Sequence, residues 1–217
     1  MLLCLVFVLE LSWQDTVDFN INTHMIIAGI DYSLRGPAIC LYKSVVGKKF
    51  CYEDCSFYFL TDNKRQSEIT NTHIFGERLS DWNSDEQRYE SIADWAVDIV
   101  MGCTHIALEG YAFGAHGRVF QIAENTGLLK YKLYQLGIPV TVMSPSEVKK
   151  FFVGKGNCDK NVMYSGWLVD TGIDLKALLT PKSIESVSPV SDIVDSYAIC
   201  KKLFASLNDE SKITQED

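Results

Sequence analysis

Four acidic residues, far apart in the chain, stand where strands end or a helix begins: Asp31, Glu109, Asp192 and Asp195. Asp31 closes the apolar run Ile26-Ile27-Ala28-Gly29-Ile30, and Glu109 closes His105-Ile106-Ala107-Leu108. Asp192 and Asp195 are three residues apart at the start of a late helical pattern, a spacing that puts both on one helix face. Gathered acids repel: two unit charges about 4 Å apart cost roughly 4 kcal/mol at an effective dielectric near 20. A cluster of this kind usually serves divalent cations, held by hard oxygen donors. Taken singly, each acid has an ordinary use. Asp31 could accept turn bonds from Ser33 or Leu34, and an acidic helix start is common capping.

The most basic stretch of the body is Lys149-Lys150-Phe151-Phe152-Val153-Gly154-Lys155-Gly156-Asn157-Cys158-Asp159-Lys160. Lysines beside small glycines suit a phosphate backbone approaching the main chain closely. A solvated charged loop would have the same composition. The histidines at 24, 73, 105 and 116 have no metal-ligand spacing. Seven cysteines are scattered without a CxxC pair, which argues against a zinc knuckle or disulfide framework and for a reducing compartment.

These groups need a scaffold. With 217 residues, 47% hydrophobic and 22% charged, the chain suits one domain with a substantial core. Ile26–Ile30 reads as a strand buried on both faces, Ala38–Val46 as a second strand and Phe50–Leu60 as a third. Residues 61–83 are polar and irregular, predicting a loop with a short helix. Ser84 and Gln87 form a capping box ahead of a helix carrying Tyr89, Ile92, Ala93, Ala96, Ile99 and Val100. A strand at 104–108, a helix at 117–136 and a strand at 138–143 follow. Ser144-Pro145-Ser146-Glu147 starts a short helix, 161–170 is helical, 171–190 is a linker, and Ser191 caps a last helix through Leu207. The order βββαβαβααα predicts an α/β fold: a mixed sheet, three antiparallel strands then parallel ones, with helices on both faces.

The first 24 residues stand apart. They are apolar for eight or nine positions and lack Lys and Arg, yet Glu10 interrupts them too early for a signal peptide or a membrane span. The expectation is that Met25 is the natural start, that 1–24 is a non-native or dispensable extension, that 25–207 is one domain, and that 208–217 is an acidic disordered tail. The net charge of −8 falls to −5 without the acids before Met25, and the last ten residues carry a further −3. The body is therefore nearly neutral, which permits a local basic groove but argues against strong nonspecific DNA binding.

Four stretches in this order resemble the RuvC family of Holliday-junction resolvases, in the ribonuclease-H-like superfamily. They are IIAGIDYSLRGPAICLY (26–42), ALEGYAFGAHGRVFQIAENTGLL (107–129), PVTVMSPSEVKKFFVGKGNCDKNVM (139–163) and SDIVDSYAIC (191–200). The resemblance covers roughly 25–207. It implies a ribonuclease-H-like domain that cleaves four-way DNA junctions by metal-dependent hydrolysis, leaving 5′-phosphate and 3′-hydroxyl ends. Asp31, Glu109, Asp192 and Asp195 would hold two magnesium ions, replaceable by manganese. One ion, shared by Asp31 and the late aspartates, would activate water, and the other, shared by Asp31 and Glu109, would stabilise the leaving oxygen. Lys160 matches the family lysine preceding the next helix. Lys149, Lys150, Lys155, Lys160 and Arg118 would contact phosphates, with Lys130 extending the track. Tyr111 or Phe113 would stack on junction bases.

A homodimer follows from the two symmetric cuts a junction needs, with the 117–136 helix as first candidate for its interface. The setting would be the cytoplasm of a bacterium, the gene being the cell's own or a phage's, with no membrane contact. Residues 61–83, the linker 171–190 and the overall acidity depart from the family pattern. Other readings stay open: a branched-DNA, flap or RNA–DNA hybrid nuclease on the same fold, or a catalytically inactive DNA-binding module. An actin-like phosphotransferase would need a second glycine-rich phosphate motif and far more chain.

Overall fold

A computed structural model describes residues 24–45, 47–110 and 119–213, with side chains to residue 209. Six strands form one sheet: β1 (His24–Asp31), β2 (Ala38–Val45), β3 (Cys55–Thr61), β4 (Ile74–Arg78), β5 (His105–Glu109) and β6 (Val140–Met143). Their order across the sheet is β4-β3-β2-β1-β5-β6. β1, β2 and β3 are antiparallel neighbours, whereas β5 and β6 run parallel to β1. This is the mixed sheet expected from the pattern, and β1 lies inside it, which explains its unbroken apolar run.

Among the described residues seven helices cover the sheet: α1 (Lys64–Ser67), α2 (Asp85–Val100), α3 (Val119–Gln135), α4 (Pro145–Val153), α5 (Lys160–Thr171), α6 (Leu175–Leu179) and α7 (Val190–Ile213). Strand alternation divides the core in two. Ala28, Ile30, Ile39, Ile106 and Leu108 pack beneath α2 and α3, against Ile92, Ala96, Leu129 and Leu133. Ile27, Cys40, Tyr42, Phe57 and Phe59 pack on the other face, against Trp167, Ile193, Tyr197 and Leu203. Gly29 belongs to this second face. A Cβ there would stand 2.3 Å from the Cys200 backbone N and 2.5 Å from the Ser196 carbonyl, so only glycine lets α7 rest on β1.

Several expectations need correction. Residues 61–83 contain strand β4 as well as the short helix α1. β4 is an edge strand, parallel to β3, with only Ile74 fully buried, so no alternation advertised it. The third strand begins at Cys55 rather than Phe50, because residues 52–54 form a 3-10 turn. The linker 171–190 contains α6, capped by Asp174, whose side chain accepts from the Ala177 N–H. Helix α7 continues to Ile213 rather than ending at Leu207; 208–213 contains no glycine or proline to stop it. No helix among the described residues is long and apolar enough to cross a membrane.

Candidate active site

β1 and β5 are parallel neighbours in register, with Ile30 beside Leu108, so their next residues, Asp31 and Glu109, stand side by side at the strand ends. Both share the parity of Ile27, Gly29 and Ala107 and face α7. Gly29 seats α7 against β1, and the first turns of that helix carry Asp192 and Asp195 over the same strand ends. The four acids thus meet because one helix start lies over two adjacent strand ends.

The electrostatics record this proximity. Burial holds the Asp31 carboxyl well above the usual carboxylate range, and the charges of Asp192, Asp195 and Glu109 push it further. No hydrogen-bond donor reaches the Asp31 carboxyl among the described residues, so it is not a turn cap. Burial and the neighbouring Glu109 and Asp192 raise Asp195 to about 7, against the pull of Lys160 and Lys149. Glu109 is raised too, chiefly by burial, with Lys149 and Lys160 opposing.

Asp192 is the best-held acid of the four. The Ser188 hydroxyl donates to Oδ2, the Ser191 hydroxyl donates to Oδ1 at 2.9 Å, and Lys160 Nζ lies 3.7 Å from Oδ1. Lys160 also donates to Ser191 Oγ at 3.0 Å. Ser191 is therefore not the N-cap expected of it: α7 starts one residue earlier, and Ser191 works sideways on Asp192 and Lys160. Asp159, the N-cap of α5, places Lys160 at that helix's first position.

The structure gathers some of the proposed residues and not others. Lys149 is half-buried, donates to the Cys158 carbonyl at 3.1 Å and acts on Glu109 and Asp195. Lys150 and Lys155 are exposed on α4 and the loop after it, and neither is among the charges that perturb the acids. Gly154 ends α4 with φ 77°, a left-handed conformation natural to glycine. Tyr111, Phe113 and Arg118 lie outside the described residues.

Two residues were missed. Ser188 hid in the apparent linker, where an isolated serine has no signal. Arg88 is buried in α2, donates to the Leu34 carbonyl and lies 4.3 Å over the Trp82 ring, which braces the loop leaving Asp31. A buried arginine inside an amphipathic helix reads from sequence only as one polar residue among many.

The donor set is all oxygen, four carboxylates of which three are driven toward protonation by burial or mutual repulsion. Its chemistry fits a hard divalent cation such as magnesium or manganese. In the side-chain conformations present, however, no three Asp, Glu, His or Cys residues among those described close on a single point. Gripping an ion would therefore require the carboxylates to turn inward.

No family model matches the sequence, and none of the curated proteins does either. Solved structures do match in fold. Thermus thermophilus RuvC aligns at 18% identity and TM-score 0.54, covering 85% of this chain and 97% of that one. T. thermophilus RuvC in complex with Holliday junction substrate aligns at 14% identity and TM-score 0.56, over 85% and 96%. The yeast mitochondrial Holliday junction resolvase Ydc2 aligns at 13% identity and TM-score 0.53, over 88% and 84%. The chain has the ribonuclease-H-like fold of these proteins.

Proposed function

We propose that this chain is a divalent-metal-dependent endonuclease that cuts branched DNA, four-way junctions above all, leaving 5′-phosphate and 3′-hydroxyl ends. The supporting observation is the gathering of Asp31, Glu109, Asp192 and Asp195 at one end of the sheet, in a fold shared with a yeast Holliday junction resolvase and with a RuvC solved in complex with Holliday junction substrate.

Asp31, Glu109, Asp192 and Asp195 would hold magnesium, two ions in all, or manganese in its place. Bound there, such ions supply Lewis acidity and water activation for phosphodiester hydrolysis. The chain's own residues do the positioning. Asp31 has acidic neighbours on both sides and is the residue that both ions would share. Ser188 and Ser191 fix the two oxygens of Asp192, so that carboxylate is aimed before substrate arrives. Lys160 offsets part of the acidic charge and is 57% exposed at its side chain, leaving its ammonium open to a phosphate oxygen of the scissile strand. Lys149, Lys150 and Lys155 would extend that contact along the strand.

The reading includes a homodimer, since two symmetric cuts need two sites. The exposed face of α3, with Phe120 80%, Tyr131 57% and Tyr134 79% accessible, is the surface favoured for pairing.

A substrate panel tests it: a synthetic four-way junction, a flap, linear duplex and an RNA–DNA hybrid, each with magnesium, with product ends read on a sequencing gel. The expected result is cleavage of the junction in preference to the others. Asp31→Asn should retain junction binding and lose at least about 100-fold in cleavage. Full magnesium-dependent activity in that variant would remove Asp31 from the chemistry. Preference for the hybrid would make this a ribonuclease on the same fold.

A further inference from the structure

The two segments that depart from the expected family pattern meet beside the acids. Gln66 Nε2, on α1, donates to the Leu179 carbonyl at 3.2 Å, closing residues 61–68 against the end of α6. Between them lies a cleft of about 420 Å³ lined by Asn63, Arg65, Gln66, Thr180, Lys182 and Ser188, among others. Its lining includes two cations and no acid, in a chain of net charge −8. Neither Arg65 nor Lys182 has a carboxylate partner among the described residues. Thr180 is 9% exposed, and its Oγ1 has no hydrogen-bond partner in the described structure.

The cleft shares one residue with the candidate active site. Ser188 lines it and also donates to Asp192 Oδ2. The lysine-bearing side of the site, with Lys160, meets the other oxygen of the same carboxylate, Oδ1. Cationic groups therefore flank Asp192 on two sides: the α4–α5 lysines on one, Arg65 and Lys182 on the other. A polyanionic strand crossing the acids from the α4–α5 side would leave over this cleft.

We propose that the cleft between α1 and the loop after α6 is a second phosphate-binding track, in which Arg65 and Lys182 hold the backbone of a DNA arm leaving the acids. The inference rests on the nuclease reading and adds a substrate contact to it. Arg65 would grip phosphate oxygens bidentately, with Lys182 as a point charge and Asn63 and Gln66 as neutral donors.

The test uses the full chain. Arg65→Glu/Lys182→Glu is compared with wild type and with Lys43→Glu/Lys49→Glu, which carries the same charge change near and beyond the end of β2 remote from Asp31. Binding of a four-way junction, linear duplex and single strand is measured with calcium in place of magnesium, across a salt series. Circular dichroism melting checks that each variant folds.

The expected result for Arg65→Glu/Lys182→Glu is at least a tenfold loss of junction affinity. The plot of log affinity against log salt should also become shallower by about 1–2, for one or two lost phosphate contacts. The control pair should keep the wild-type slope. Should the cleft variant match the control in affinity and slope while wild type binds the junction, the track is overturned and the nuclease reading stands. If wild type binds none of the three DNAs, both fall. Should the cleft variant fail to fold, Arg65→Gln and Lys182→Gln replace it, and an unchanged slope in both overturns the track.

Discussion

At the scale of single residues, the site works by crowding acids where burial penalises their charge. Asp31, Glu109 and Asp195 all bind protons more tightly in the folded chain than free carboxylates do, Asp195 with a midpoint raised from 3.8 to about 7. For an acid with a raised folded value, the folded state holds more protons than the unfolded one. Stability of the ion-free protein therefore falls as pH rises from about 4 through about 7. In EDTA, the melting temperature should drop between pH 5 and pH 8, and Asp195→Asn should lessen that drop. Adding magnesium or manganese at pH 8 should restore stability to wild type more than to the variant. Equal pH profiles for wild type and Asp195→Asn would show that Asp195 is not held under this strain.

At the scale of elements, the seating of α7 on β1 decides whether the acids meet. Gly29→Ala would put a methyl group against backbone atoms of Cys200 and Ser196, which cannot rotate away. The expected cost is about 1–3 kcal/mol, lowering the melting temperature by roughly 2–12 °C. Cleavage should fall further than stability, because a helix lifted from β1 carries Asp192 and Asp195 with it. Trp167 anchors α5 from behind. It is fully buried, donates to the Ile173 carbonyl at 2.8 Å and meets Phe57 and Tyr197 edge-on at 5.4 and 5.0 Å. Trp167→Ala should cost about 3–5 kcal/mol in denaturant unfolding, with no change in the metal preference of the remaining activity.

At the scale of the molecule, the proposed dimer makes a separate prediction. Tyr131→Glu/Tyr134→Glu replaces two exposed rings of α3 by charges without touching the buried Leu129 and Leu133. Light scattering at micromolar concentration should show wild type as a dimer and the variant as a monomer that melts at the same temperature. The variant should nick one strand of a junction instead of making paired cuts. A monomeric wild type that still makes paired cuts would remove α3 from the argument.

Much of this fold was legible in the chain. Buried strands and long helices repeat one chemical demand every second or every third to fourth residue, so β1, β2, β5, α2 and α3 could be read directly. Two short elements could not: β4 buries little, and α6 is a single turn held by Asp174 and by contacts from distant residues. The acids themselves were readable, since each closes or opens a periodic segment. Their partners were not. Arg88 and the Arg65–Lys182 cleft depend on which segments the sheet brings side by side, and residues more than 20 positions apart leave no mark of contact in a single sequence. Ser188 is four residues from Asp192, but an isolated serine in an aperiodic stretch carries no signal of the bond it makes. Local periodicity determined the elements and the identity of the carboxylates. Only the tertiary structure, by resting one helix on a glycine, decided that those carboxylates would share one field.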